Sequence, residues 1–363
     1  MPELQGGWGI PMVYVICGQC DWRYLAPDTD LPEHCPHCAA PALARLDADE
    51  AQFPYPHPPE LVVPFEVAEA VLAARIEAFA RGIPFVPTDL NPATLRERMQ
   101  KLYLPMWLVD SDVVASWQAE VGFDYEVVSH QGRYADGAGW RTEEVREGRV
   151  RWEPRVGQLR RHYDNVAAPA LGLQEAAQRA LGRYNVSNAG DYSAEHVRTA
   201  IVRAPDRSPE AAWPDAEVGL RQRAADECCS AAHADHIRDF RWAPEFGEPN
   251  WTLLLLPVYA TFYRDDEGQP QRVLINGQTG QLSGVRRGSM KRAQRTSLVI
   301  GIVALVLFLL SVGAAVLGAM VPPALAIGVV GAVMAVLIGI GAIIPIARVW
   351  SFNRRESRAT PEV

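Results

Sequence analysis

From Ser297 to Met320 the chain reads SLVIGIVALVLFLLSVGAAVLGAM, without one charged residue, and a second apolar run extends from Ala324 to Ile346. A helix needs ~20 apolar residues to cross the hydrocarbon core, so each run is long enough with some tilt. A pair of buried core helices is the soluble alternative; two uncharged runs of this length back to back point to a membrane instead. Val321, Pro322 and Pro323 alone join them. Proline stops the first helix and is tolerated at the start of the second, so the expectation is a tight transmembrane hairpin with spans at 297–320 and 324–346.

Arg286, Arg287, Lys291, Arg292 and Arg295 precede the first span, and Arg348, Arg354, Arg355 and Arg358 follow the second, with Trp350 and Phe352 placed for the interface. Flanking cations mark the cytoplasmic side, so both ends of the hairpin are expected there. Neither span contains an Asp, Glu, Lys, Arg or His, so nothing suggests a proton or ion path. Small residues align as Gly331, Ala335 and Gly339, with Ala324, Gly328 and Ala332 on an adjacent row. Such rows let helix backbones approach closely, within the hairpin or between this chain and another copy or protein.

The N-terminal part carries CGQCDWRYLAPDTDLPEHCPHC, residues 17–38, which places Cys17, Cys20, Cys35 and Cys38 as two Cys-x-x-Cys pairs. Each pair sets two thiolates on one side of a cation, and a second pair closes a tetrahedron. Short strands are expected at MVYVI before Cys17 and PALARL after Cys38, which gives a zinc ribbon holding one structural Zn2+. Iron in a rubredoxin-like site is the alternative, since four thiolates suit either metal. His34 and His37 are spare donors. Ala39 stands where ribbons commonly carry glycine. Six cysteines concentrated in this way, with no basic start or long apolar run in MPELQGGWGIPMVYVI, argue for a reducing compartment and against a signal peptide.

The net charge is −8 over 363 residues. Around the cysteines, Asp28, Asp30, Glu33, Asp47 and Asp49 outweigh Arg23 and Arg45. An acidic ribbon repels phosphates, so no nucleic acid is expected as partner, and a membrane-tethered nucleic-acid binder is the lesser reading.

EAQFPYPHPP reads as a stiff linker. PELVVPFEVAEAVLAARIEAFARG reads as an extended start and a helix ending near Gly82, and NPATLRERMQK as a short helix capped by Asn91. Strands are expected in LYLPMWLVD, SWQAEVGFDYEVVS, GRVRWEP, GQLRRHYDN, WTLLLLPVYATFYRD and QRVLING, with helix from Leu173 to about Arg241, broken at APDRSP. The Leu-Pro strands at 104 and 256 echo each other, which suggests two related halves around one mixed sheet. The fold class is therefore α+β: ribbon 1–52, linker 53–60, a sheet-and-helix domain 61–290, and the hairpin with its basic tail 291–363.

The paired cysteines, PELVVPFEVAEA, LYLPMWLVD, RWEPRVGQL, LLLLPVYATFYRD and VLINGQTGQLSG, followed by membrane spans, resemble a family of bacterial zinc-ribbon membrane proteins labelled TFIIB-type zinc finger or primosomal-protein-like. Tyr259 in place of tryptophan and GVRRGS in place of a proline-containing run depart from its pattern. The resemblance implies the bacterial cytoplasmic membrane and a scaffolding role beside SPFH (flotillin or band-7) and phage-shock-type envelope proteins.

No phosphate loop, His-Glu-x-x-His, Gly-x-Ser-x-Gly or dinucleotide fingerprint is present, so no enzyme is expected. The residual candidate for a metal-dependent enzyme or redox sensor is ECCSAAHADHIRD. If helical, it puts Cys229, His233 and His236 on one face, with Asp239 at its edge and Cys228 adjacent. Trp107, Trp117, Trp140, Trp152, Trp242 and Trp251 sit in or beside strand patterns, where they fill a core or, less often, line a ligand pocket.

Overall fold

The computed structural model describes residues 7–46, 57–135, 139–317 and 322–359, with side chains omitted for 131–143, 322 and 358–359. Residues 53–56 of the linker 53–60, and Val321 of the span connection, lie outside the described residues.

Along the chain, β1 (Met12–Cys17), β2 (Arg23–Pro27) and β3 (Leu43–Arg45) are antiparallel, with β1 between the other two. After β4 (Leu61–Val62) come α1 (Glu69–Ala80) and α2 (Pro92–Glu97). Asn91 caps α2 as expected, its Oδ1 accepting from Thr94 N at 2.9 Å. Gly82 follows α1 with φ 84°, where only glycine is unstrained.

Two long strands then run through what local patterning divides into four: β5 (Gln100–Ala135) and β6 (Gly139–Ala168), paired antiparallel with one register shift between Val109 and Ser111. The expected helical stretch 173–241 is only partly helical. It holds α3 (Gln174–Leu181), β7 (Gly190–Asp191), α4 (Ala194–Val197), β8 (Ala200–Arg203) and α5 (Pro209–Ala231), and its end is β9 (His236–Phe246). Then come β10 (Asn250–Arg264), β11 (Pro270–Asn276) and β12 (Leu282–Gly284), followed by α6 (Met290–Leu317), α7 (Pro322–Gly341) and α8 (Ile344–Ala359).

The chain forms two compact units, whose borders fall inside β5 and β10: residues 1–105, 173–204 and 255–363 make the first, and 106–172 and 205–254 the second. In the first unit the strand order is β12-β11-β10-β5-β8-β2-β1-β3. The cysteine-bearing strands are thus one end of the same sheet, joined by β2 to β8 through Tyr24↔Arg203 and Leu25↔Val202. One core cluster, with Trp8, Met12, Tyr14, Leu25, Tyr103 and Val202, unites these strands with the rest of the sheet. A second packs α1 and α2 through Leu72, Ile76, Phe79 and Leu95 onto Tyr263, Val273 and Ile275 of β10 and β11.

In the second unit β6 and β9 flank β5, and α5 packs against both. Pro154 and Pro244 sit on these two flanking strands, where a missing N–H does least damage. Trp107 is fully buried, its Nε1 donating to Arg207 O at 3.1 Å. Trp251 meets it edge-on at 6.2 Å, and Trp242 packs on Phe240 and Phe246. Trp117 is half-buried over Gly157, and Trp152 lies under Arg238. The Trp140 side chain lies outside the described residues. The described tryptophans pack on neighbouring side chains, and the two openings beside Trp117, about 610 Å³ with Trp242 and about 700 Å³ with Cys228, are open grooves.

Two helical stretches, Met290–Leu317 and Pro323–Ser357, are long and apolar enough to cross a membrane, and nearly nine-tenths of each core window faces outward. The second is interrupted at 342–343, between α7 and α8. Pro345 explains the break, because it has no N–H to offer the carbonyl of Gly341 and its ring crowds that turn. The small residues of α7 serve the hairpin itself. A methyl on Gly328 would lie 2.5 Å from Ala315 N and 2.7 Å from Ser311 O, one on Gly331 would strike Ser311 Oγ, and Ala335 is buried.

Candidate metal centre

Cys17 ends β1, Cys20 precedes β2, and Cys35 and Cys38 lie in the loop before β3. Their sulfurs come together: Cys17 Sγ is 3.5 Å from Cys38 Sγ, Cys20 Sγ is 3.7 Å from Cys35 Sγ, and all four lie within 4.8 Å of one another. All are free thiols. A tetrahedron with metal–sulfur bonds of about 2.3 Å has edges of about 3.8 Å, so the set fits one four-thiolate metal ion.

The two halves of the site repeat the same backbone loop. Cys17 N donates to Trp22 O at 2.9 Å and Asp21 N to Cys17 O at 2.9 Å; Cys35 N donates to Ala40 O at 2.9 Å and Ala39 N to Cys35 O at 2.8 Å. Each loop turns through a left-handed residue, Asp21 at φ 57° and Ala39 at φ 59°. That conformation costs an L-residue about 1–2 kcal/mol, which is why glycine is common there. Both loops hold it without glycine.

Burial and hydrogen bonding compete over the acidity of Cys17, Cys20 and Cys38. At Cys17 burial opposes ionisation, but the backbone N–H groups of Gln19 and Cys20 together with the Cys38 and Cys20 sulfurs outweigh it and hold the pKa below the usual thiol value. At Cys20 and Cys38 burial wins and pushes the pKa up, for Cys38 to about 11. A cluster of this kind is stable as thiolates only around a cation.

The surroundings supply further positive charge. Tyr24 is fully buried, its hydroxyl 3.4 Å from Cys35 Sγ. Arg203, also buried, donates to Arg23 O and Ala204 O and lies 4.5 Å from the centre of the Trp22 ring. His37 stacks on the same Trp22 ring, with ring centres 3.7 Å apart. Its Nδ1 accepts from Arg272. Burial first, then Arg272 and Arg203, drive the His37 pKa down to about 4. His37 is thus a neutral second-layer residue, and His34 packs near Phe262 at 5.4 Å; neither joins the ligand cluster. Cysteine spacing reveals the ligands. Arg203 and Arg272 lie far along the chain, in strands whose pairing brings them here, and carry no local signal.

The second candidate does not assemble. Helix α5 stops at Ala231, and His233 takes φ 51°, with His233 N bonded to Ser230 O and Ala234 N to Cys229 O. This left-handed helix stop throws His236 into β9, where its Nε2 is 2.8 Å from Asp124 Oδ1. Cys229, His233 and His236 therefore share no helix face, and the four N-terminal cysteines form the one group close enough for a metal among the described residues. Burial raises the pKa of both Cys228, to about 11, and Cys229, which makes them poor nucleophiles. No protein family, curated protein or solved structure matches the chain.

Proposed function

We propose that this chain is a membrane-anchored adaptor whose four cysteines hold one structural zinc ion on the cytoplasmic side, and which recruits or organises other envelope proteins. The observation that carries this reading is the continuity between the metal head and the anchor. Both belong to one compact unit, and the foot of the hairpin is bolted into it. Phe352 packs on the second core cluster. Asn353 and Gly288 exchange two hydrogen bonds, of 2.8 and 3.1 Å, and Ser289 N donates to Phe85 O at 2.7 Å. A head held rigidly at a fixed height above a bilayer suits a docking platform. Four thiolates leave no open coordination position for a substrate, which favours a structural over a catalytic ion.

The cytoplasmic side follows from the arginines at both ends of the hairpin and from free thiols that need a reducing compartment. Partners of SPFH or stress-response type follow from the resemblance. The test is reciprocal co-purification of the full chain from native membranes in mild detergent, with the Cys17→Ser/Cys35→Ser variant beside it. The proposal expects a membrane protein that returns the chain when itself captured and is lost with the variant. Recovery of the chain alone would overturn it.

A further inference from the structure

An open cleft of about 1050 Å³ lies in the first unit, lined by Arg75 and Arg81 from α1 and its end, by Thr279, Gln281 and Ser283 around β12, and by Arg286. Glu356 of α8 lines it too and is its one carboxylate. The cleft therefore carries a positive excess, and among the described residues no acidic side chain forms an ion pair with Arg75, Arg81 or Arg286. Nearby cations are accounted for differently: Arg287 faces Asp265, and Lys291 is held by Asp266.

Arg286 is fixed in place. Its guanidinium sits between the rings of Phe79 and Phe352, 6.0 and 5.9 Å from their centres, and Nη2 donates to Arg81 O at 2.6 Å. Its Nε is buried with no hydrogen-bond partner. A cation so immobilised is preorganised for an anion and loses little entropy on binding one.

The height of the cleft identifies the anion. Arg286 precedes the start of α6 at Met290, and the uncharged part of α6 begins after Arg295. The helix from Met290 to Arg295 accounts for about 8 Å of that interval along its axis. On α8, Glu356 lies six residues beyond the exposed Trp350, about 9 Å. The polar layer of one leaflet is about 5–8 Å deep. The Arg286 guanidinium lies 5.9 Å from the ring of Phe352, which is two residues and about 3 Å beyond Trp350, so the cleft runs from the level of the headgroups of the adjoining leaflet to Glu356 at their outer edge, flanked by Thr279 and Ser283 hydroxyls that suit a glycerol headgroup.

We propose that this cleft binds the phosphate headgroup of an anionic glycerophospholipid, with Arg75, Arg81 and Arg286 as its ligands. The proposal rests on the reading of α6–α8 as a membrane hairpin and adds a lipid class to it.

The test uses the full chain in neutral detergent micelles, titrated with short-chain phosphatidylglycerol and, separately, phosphatidylcholine, with bound lipid counted by native mass spectrometry. Arg75→Gln/Arg81→Gln changes two exposed side chains and leaves Arg286 and its packing intact. A headgroup contact near the surface contributes about fivefold per arginine, so the double variant is expected to weaken phosphatidylglycerol binding about 30-fold. Arg295→Gln, outside the cleft, is expected to weaken it less than threefold. Equal loss in both variants, no loss in either, or equal binding of phosphatidylcholine would overturn the proposal. Displacement by millimolar inorganic phosphate would overturn it too, by showing a site for a free anion. Flotation with phosphatidylcholine vesicles reads the hairpin separately: a chain that fails to float refutes the anchor, while the micelle titration still decides the cleft.

Discussion

Arg272→Met is the substitution that separates a metal centre from four cysteines that merely lie together. A divalent ion bound by four thiolates carries two net negative charges, and the buried Arg203 and the half-buried Arg272 are placed to balance them. Burial pulls the Arg272 pKa down, while Tyr24 and the Cys35, Cys20 and Cys38 sulfurs pull it up. Burial therefore disfavours the guanidinium, and thiolate charge at Cys35, Cys20 and Cys38, as a bound cation would stabilise, favours it. Methionine removes a cost from the metal-free form and a compensating charge from the metal-bound form. Residues one layer out from a metal typically contribute 10–100-fold in affinity, about 1.4–2.7 kcal/mol, and both effects here act in the same direction. Competition with a chromophoric chelator, on the full chain in detergent, should show zinc held about 100-fold more weakly. Arg272→Lys, which keeps the charge and loses the bond geometry to His37, should fall between. A change under about threefold for Arg272→Met would refute the charge-balance account.

Three further outcomes follow from the geometry. Asp89 accepts two bonds from Arg98, at 2.6 and 3.1 Å, and one from Arg264 N at 2.6 Å. Burial alone would raise its pKa, but Arg98 and then the Arg264 amide carry it below the usual value. Its contribution is therefore present above the ordinary carboxylate pKa and lost as pH falls through the depressed one. Asp89→Asn should cost about 1.5–3 kcal/mol at pH 7 and flatten the acid limb of a denaturation series. Gly328→Ile should splay α6 from α7 at a cost of about 1–3 kcal/mol, read as a lower melting temperature in detergent. Gly301→Ile, where nothing lies within 4 Å, should melt like the parent. His162 is bonded to Asp112 at 2.9 Å, with Asp164 beyond its other nitrogen, and both raise its pKa. An NMR titration should place it above 6.5 and show it fall in Asp112→Asn; an unshifted histidine in the parent would contradict the contact.

The features legible in the sequence are those set by neighbours in the chain. Cys-x-x-Cys spacing, uncharged runs, the Asn91 cap and the helix stop at Gly82 are all local. Pairing across the sheet is not. β2 and β8 are short and lack a distinctive alternation, yet their pairing joins the metal loops to the rest of the sheet. The four strands expected in 102–165 became two, because each strand finds a partner for its whole length and the polar stretches between them need not turn. The histidine face failed because His233 takes a left-handed conformation that sequence leads one to expect of glycine or asparagine. Pro345 is a local signal too, and it interrupts the second apolar stretch near its C-terminal end.

The central claim is that four reduced cysteines hold a single metal ion in the unit that also carries the membrane hairpin. Elemental analysis of the full chain, purified from membranes in detergent without added metal, tests it most directly. The account predicts one zinc per chain, falling to none in Cys17→Ser/Cys35→Ser and unchanged in Cys229→Ser/His236→Gln. A metal-free chain with Cys17, Cys20, Cys35 and Cys38 joined in disulfides would contradict it.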